Sequence, residues 1–131
     1  MTDAIVLDAS ALIALVLREP GYELVAAVLP GALISAVNLT EVTAKLIDLG
    51  LSPDRAARLP LEVRPQVVPF DLEQATMAGQ LRKATRPLGL SLGDRCCLAL
   101  ARSMNVSALT ADRAWRALPD EVGVDVVLIR P

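Results

Sequence analysis

The chain of 131 residues contains no histidine. Histidine is the general base of Ser-His-Asp triads, the usual proton carrier near neutral pH and a frequent zinc ligand. Its absence excludes triad hydrolases, enzymes with a histidine base and His-ligated zinc sites. Any catalysis must therefore use carboxylates, hydroxyls, lysine or arginine.

Cysteine is almost absent as well, since the chain has only Cys96 and Cys97. Adjacent cysteines are poorly placed for an ordinary disulfide with each other, and no Cys-x-x-Cys metal spacing occurs. We expect both side chains to pack as small apolar groups.

The sequence has no apolar run long enough for a membrane span, although its mean hydropathy is +0.48. Such a span needs about 20 uninterrupted apolar residues. The longest charge-free stretch, residues 24–40, is broken by Pro30 and Gly31. The first residues show neither a basic region nor a small-residue cleavage site, so we expect a cytoplasmic protein without a signal peptide.

Aromatic residues make up 2% of the chain against 53% hydrophobic residues, which predicts an aliphatic core and leaves apolar surface for a partner. The net charge of -2 and the pI near 5.1 exclude nucleic-acid binding through bulk basic charge. An RNA ligand would need a local patch or metal ions. The length predicts one domain over residues 1–131.

Short apolar segments alternate with helical patterns along the chain. We predict strands at residues 5–7, 32–35, 66–70, 106–110 and 124–129, a helix over 11–17 with Ser10 as N-cap, and a helix over about 71–86. Parallel neighbouring strands need crossover connections. The pattern therefore predicts an α/β fold, a three-layer α/β/α sandwich around a mostly parallel sheet of four to five short strands.

Four acids lie beside these apolar segments: Asp8, Glu41, Asp94 and Asp112. Each has an ordinary explanation by itself: a turn residue for Asp8, a surface pair with Lys45 for Glu41, and helix caps for Asp94 and Asp112. Acids so close to buried segments are nevertheless costly unless they are paired or bind a cation.

Ligands in parallel sheets bind at the carboxyl ends of the strands, and Asp8 and Asp112 each follow a predicted strand. Four converging carboxylates without four cations would repel one another. The economical interpretation is a site for a hard divalent cation, Mg²⁺ or Mn²⁺. Such a site can hydrolyse phosphodiesters without histidine.

Four segments, residues 5–11, 34–42, 90–101 and 109–115, resemble the signature blocks of PIN domains in order and spacing. The similarity is strongest to VapC-type toxins of bacterial type II toxin-antitoxin pairs. It implies a PIN-like sandwich, a homodimer, a Mg²⁺- or Mn²⁺-dependent endoribonuclease that cuts RNA, and inhibition by a cognate antitoxin protein.

The resemblance also implies roles for individual residues. Asp8, Glu41, Asp94 and Asp112 match the catalytic and metal-binding acids of the family, with Asp8 and Asp94 the firmest ligands. Ser10, Asn38 and Thr110 match polar positions that orient a carboxylate or a water. These three residues have an equally good explanation as caps or strand ends.

Two groups of basic residues are candidates for RNA contact. Arg95 adjoins Asp94 and is the better placed to steer a phosphate, whereas Arg82, Lys83 and Arg86 form a basic group in one predicted helix. A charge run on a helix is usually only a solvated face. Residues 52–69 match no motif, so neither the RNA nor the antitoxin can be identified, and one metal ion cannot be distinguished from two.

Two other interpretations remain open. A receiver-type signalling domain also has an acidic Mg²⁺ pocket, but it uses paired N-terminal acids and a late lysine, whereas this chain has Asp8 alone and no lysine after Lys83. The second alternative is a non-catalytic PIN-like protein that binds RNA or a partner.

Overall fold

The computed structural model describes residues 4–131, so the predicted domain over 1–131 begins with three residues that lie outside the described residues. Its centre is a sheet of five strands: β1 (Ile5–Leu7), β2 (Ala32–Ser35), β3 (Gln66–Val68), β4 (Ser107–Thr110) and β5 (Val126–Leu128). The strand order is β3-β2-β1-β4-β5, and every neighbouring pair is parallel. The predicted α/β fold with a parallel sheet is therefore confirmed.

Helices connect the strands, as parallel pairing requires. They are α1 (Ala9–Leu17), α2 (Tyr22–Val28), α3 (Ala36–Asp48), α4 (Pro53–Glu62), α5 (Leu72–Gln80), α6 (Arg82–Thr85) and α7 (Leu92–Met104). Short 3-10 segments occur at Leu29–Gly31, Arg86–Leu88, Arg113–Ala117 and Asp120–Val122. Within residues 4–131, none of the helices has the length and apolar character that crossing a membrane would take.

Alternation along the strands divides the core into two layers, because successive side chains of a strand point to opposite faces. Leu7 and Leu109 join the cluster formed with α1, α3 and α4, whereas Val6 and Ala108 join the cluster formed with α7. Cys96 and Cys97 are free and buried in α7, as expected for small apolar groups.

The strand order fixes where a ligand can bind. From β3 the chain returns to the other side of β1 to form β4, so the strand order reverses between β1 and β4. A crevice opens at the carboxyl ends of the strands at such a point. The order also differs from the 2-1-3-4-5 order of receiver domains, which argues against that alternative.

Three local predictions were wrong. Ser10 is not the cap of α1: the helix begins at Ala9, and Asp8 occupies the N-cap position. The helix predicted over 71–86 is interrupted at Leu81, which turns into the core two residues after helix-weakening Gly79. Pro60 and Pro65 predict only a short segment after Ser52, but the structure has a helix of 10 residues there, because Pro60 lies in its last turn, where one backbone bond is lost.

Candidate active site

Asp8 is the most enclosed of the four acids, with 4% of its surface exposed. It directly follows β1, and its carboxylate Oδ2 accepts hydrogen bonds from Ser10 Oγ at 2.9 Å and from Thr110 Oγ1 at 3.0 Å. Ser10 Oγ in turn accepts from the amide of Ala111 at 3.0 Å. The ends of β1 and β4 thus hold this carboxylate in place.

The pKa of Asp8 is raised from 3.8 to about 6, mainly by burial and also by the negative charge of Asp94. The bonds from Ser10, Thr110 and the amide of Ala9 act in the opposite direction. Desolvation therefore outweighs three hydrogen bonds, as expected for a carboxylate that is almost fully buried.

Asp94 is held by a capping box at the start of α7. Its Oδ2 accepts from the Ser91 amide at 2.9 Å, while its own amide donates to Ser91 Oγ at 3.2 Å. Burial is the main cause that raises the Asp94 pKa; the bonds with Ser91 lower it, and the charge of Asp112 raises it. Capping and a role in the acidic site are therefore compatible.

Glu41 lies in α3 and is positioned by Asn38, one helical turn earlier. Asn38 Nδ2 donates to Glu41 Oε1 at 2.8 Å and to the carbonyl of Gly93 at 2.9 Å. Burial raises the Glu41 pKa, the bond from Asn38 lowers it and the charge of Asp94 raises it. Asn38 is completely buried, and its Oδ1 has no hydrogen-bond partner.

Gly93 contributes to the site, although no motif in the sequence gives it a role. A Cβ atom at this position would overlap the Glu41 carboxylate. The absence of a side chain therefore allows α3 and α7 to bring their acids together. A helix-weakening glycine in the first turn of α7, next to Asp94, was the available signal.

Asp112 is the most exposed of the four acids. Its Oδ1 accepts from the Ala114 amide at 3.0 Å and caps the 3-10 segment Arg113–Ala117. Its own amide donates to Thr110 Oγ1 at 3.1 Å, which ties it to the hydroxyl that supports Asp8.

The predicted RNA-contact residues separate into two environments. Arg95 is half-buried, and its Nη1 donates to the carbonyl of Ala78 at 3.0 Å, so the side chain links α7 to α5. Arg82, Lys83 and Arg86 are exposed on α6 and the turn that follows it.

The four acids influence one another through Asp94, whose charge raises the pKa of both Asp8 and Glu41. The fully buried Cys97 lies close to the same group: burial raises its pKa well above the usual value, and the charges of Asp8, Asp94 and Glu41 raise it further. Within residues 4–131, no Lys or Arg is among the groups that shift the pKa of Asp8, Glu41 or Asp94.

The chemistry of these donors fits a hard divalent cation, because carboxylate, amide and hydroxyl oxygens are its preferred ligands. The unpartnered Asn38 Oδ1 adds a neutral acceptor beside Glu41. In the described part of the chain, however, no three carboxylates are close enough to enclose an ion without side-chain movement.

The family follows from a sequence comparison: a family model for the PIN domain matches residues 5–121. The chain belongs to the PIN-domain family. This confirms the resemblance seen in the four sequence blocks. No curated protein matches this PIN domain at a significant level of sequence similarity.

Solved structures share the PIN fold of this chain. The DNA-bound VapBC structure from Salmonella typhimurium matches with a TM-score of 0.76 and 19% identity, over 97% of this chain and 98% of the other. A toxin-antitoxin complex from Klebsiella pneumoniae matches with a TM-score of 0.72 and 20% identity, over 96% of this chain and 98% of the other. FitAcB from Neisseria gonorrhoeae matches with a TM-score of 0.65 and 23% identity, over 93% of this chain and 95% of the other.

Proposed function

We propose that this PIN-domain protein is a VapC-type toxin, an endoribonuclease that hydrolyses RNA phosphodiester bonds with Mg²⁺ or Mn²⁺. The observation that carries the proposal is the position of Asp8. It is a buried carboxylate with a raised pKa at the reversal of strand order, electrostatically linked to Asp94 and supported by two hydroxyl donors. Burial of this kind is costly unless a cation is bound.

We assign Asp8 and Asp94 as the principal ligands, with Glu41 and Asp112 completing the set. Ser10 and Thr110 orient Asp8, Asn38 orients Glu41, and the Ser91 amide holds one oxygen of Asp94. A bound divalent cation would supply an activated water and charge stabilisation for the leaving oxygen. Asp8 is ionised at neutral pH, because its pKa of about 6 lies below 7.

The test is digestion of labelled RNA with Mg²⁺ or Mn²⁺, with and without EDTA, beside duplex DNA. We expect cleavage of RNA that stops on chelation, with duplex DNA largely intact. Asp8→Asn and Asp94→Asn should fold but lose most activity, since the amide lacks the charge that holds the cation. Asp48→Asn, an exposed acid at the end of α3, is the matched control. Activity that survives exhaustive chelation contradicts the metal mechanism.

A second measurement reports metal binding without RNA. A ligand that binds only the folded state stabilises it, by roughly 2.7 kcal/mol at a hundred times its dissociation constant. Mn²⁺ should raise the melting temperature of the wild type and of Asp48→Asn, and raise that of Asp94→Asn much less. Equal shifts in all three proteins would leave Asp94 with its capping role alone.

We further propose a homodimer and a tighter complex with a cognate antitoxin, acting in the cytoplasm. The support is exposed apolar surface, above all Leu72 at 82% and Leu92 at 62% exposure. Several structural neighbours are toxin-antitoxin complexes. The alternative is a PIN domain that binds RNA without cleaving it. Such a protein would leave the RNA intact in the digest although it binds the RNA.

A further inference from the structure

Positive charge is concentrated in one part of this acidic chain. Residues 82–116 contain seven of the 13 lysines and arginines but only two of the 15 acids, and those two acids are Asp94 and Asp112. The remainder of the chain is correspondingly acidic. The positive segment therefore coincides with the part that carries half of the candidate active site.

Packing turns the basic side chains of α6 and the next turn outward. Leu81 and Thr85 are buried, Thr85 Oγ1 donates to the Leu81 carbonyl at 2.9 Å, and Leu88 packs against the core. Arg82, Lys83 and Arg86 occupy the positions between these inward residues and are exposed. Their side chains are therefore directed into solvent.

A second basic segment packs beside the first. The turn Arg86–Leu88 contacts the 3-10 segment Arg113–Ala117, and Leu88 shares a hydrophobic cluster with Trp115. Arg113 and Arg116 of that segment are exposed; Arg113 Nε donates to the carbonyl of Pro131 at 2.9 Å, but the side chain stays at the surface, unlike the half-buried Arg95. We call the five exposed residues the cationic strip: Arg82, Lys83, Arg86, Arg113 and Arg116. One end of the strip follows directly after Asp112.

We propose that the cationic strip binds the phosphate backbone of the RNA and leads it to the carboxylates; this inference rests on the proposed function. A protein of net charge -2 repels a polyanion, so binding needs a local region of opposite charge. The strip provides that region beside Asp112. It consists of cations alone, and Trp115 beneath it is 1% exposed, so it contacts phosphates rather than stacked bases.

Two other arginines of the same segment do not belong to the strip. Arg95 is engaged with the Ala78 carbonyl and half-buried. Arg102 lies in the last turn of α7, near Gly123, far along the helix from Asp94. The sequence-based preference for Arg95 over the α6 residues is thus reversed in this proposal.

The test measures binding without cleavage. Fluorescence anisotropy of a labelled single-stranded RNA is recorded in EDTA over a salt series for wild type and for R82Q/K83Q/R86Q. Single-stranded contacts contribute about 0.7 each to the slope of log K against log salt. The triple variant should therefore bind more weakly, with a slope smaller by roughly 2. A second variant, R113Q/R116Q, removes two contacts, so its slope should be smaller than that of the wild type by about 1.4.

The matched control is K45Q/R55Q/R58Q, which removes the same charge from exposed positions of α3 and α4. It should keep the wild-type slope. Wild-type slope and affinity in both strip variants would overturn the proposal and would point to a protein partner for this surface. An equal loss in the control would also overturn it, because any cation would then serve.

Cleavage kinetics separate this proposal from the proposed function. With Mn²⁺, the strip variants should raise KM and largely keep kcat, because the carboxylates are unchanged. If no RNA is cleaved under any condition while the slope still falls, the strip is supported and the nuclease function fails. If the strip variants cleave RNA with the wild-type KM, the proposed nuclease function is supported and the proposed role of the cationic strip is rejected.

Discussion

The buried carboxylate of Asp8 lowers the stability of the fold when it is ionised. This carboxylate is almost fully enclosed, and its pKa is raised from 3.8 to about 6, mainly by burial. The folded state therefore binds the Asp8 proton more tightly than the unfolded chain does. Without metal, this group favours the fold at low pH and opposes it once ionised.

The sign of this effect gives a pH prediction. As pH rises from about 4 to about 6, the metal-free protein should lose stability relative to Asp8→Asn, by about 3 kcal/mol for a shift of this size. Glu41 and Asp94 also have raised pKa values and act in the same direction. Melting temperatures in EDTA between pH 4 and pH 7.5 measure the difference. A gap between the two proteins that does not change with pH would contradict it.

Gly93→Ala tests how closely α3 must approach α7. The new Cβ would overlap the Glu41 carboxylate and displace it from its bond with Asn38. Helix propensity favours alanine by about 1 kcal/mol, so α7 should still form. We expect a large loss of RNase activity with a folded far-UV circular dichroism spectrum. Full activity would show that the position of Glu41 is unimportant.

At the scale of elements, the turn between α1 and α2 is fixed by the segment after β5. Gly21 has a φ of +93°, and a side chain there would collide with the Ile129 carbonyl. Arg130 Nη1 donates to the carbonyl of Pro20 at 2.6 Å in the same region. The two segments are far apart in sequence and depend on each other for their conformation.

Two glycine substitutions should therefore have opposite effects. Gly21→Ala should lower stability by more than about 1 kcal/mol, because it combines a positive φ with a collision. Gly79→Ala, in α5 with no atom within 4 Å of its added Cβ, should raise stability by up to about 1 kcal/mol. Urea denaturation of both variants measures the pair, and a destabilised Gly79→Ala protein would refute this account of α5.

At the scale of the whole molecule, the exposed leucines predict association. Leu72 and Leu92 are the first residues of α5 and α7, two helices that pack against each other. We expect light scattering to give the mass of a dimer at tens of micromolar protein. Co-expression with the product of the neighbouring gene should give a stable heteromeric complex. A monomer under both conditions would contradict this prediction.

Much of the fold was predictable because its signals are local. Apolar segments of three to six residues predicted the strands, and the short spacing from Ser91 to Asp94 is typical of the capping box that opens α7. Local signals also gave one wrong prediction. Serine is a common N-cap residue, but the hydroxyl of Ser10 donates to Asp8, two residues earlier, and accepts from the amide of Ala111. The cap was misplaced because a hydroxyl is suited to either role.

Residue types, short spacings and family resemblance were enough to predict the α/β class, to exclude histidine chemistry and to name the four candidate acids. Three contacts are visible only in the folded chain: Thr110 holds Asp8 across 102 positions, Gly93 leaves room for Glu41, and Arg95 faces α5. The order of the strands and the packing of the turn Arg86–Leu88 beside the segment Arg113–Ala117 are likewise visible only in the folded chain. Such contacts join residues distant in the chain, and pairing across that distance depends on packing of the complete core, which no local pattern encodes.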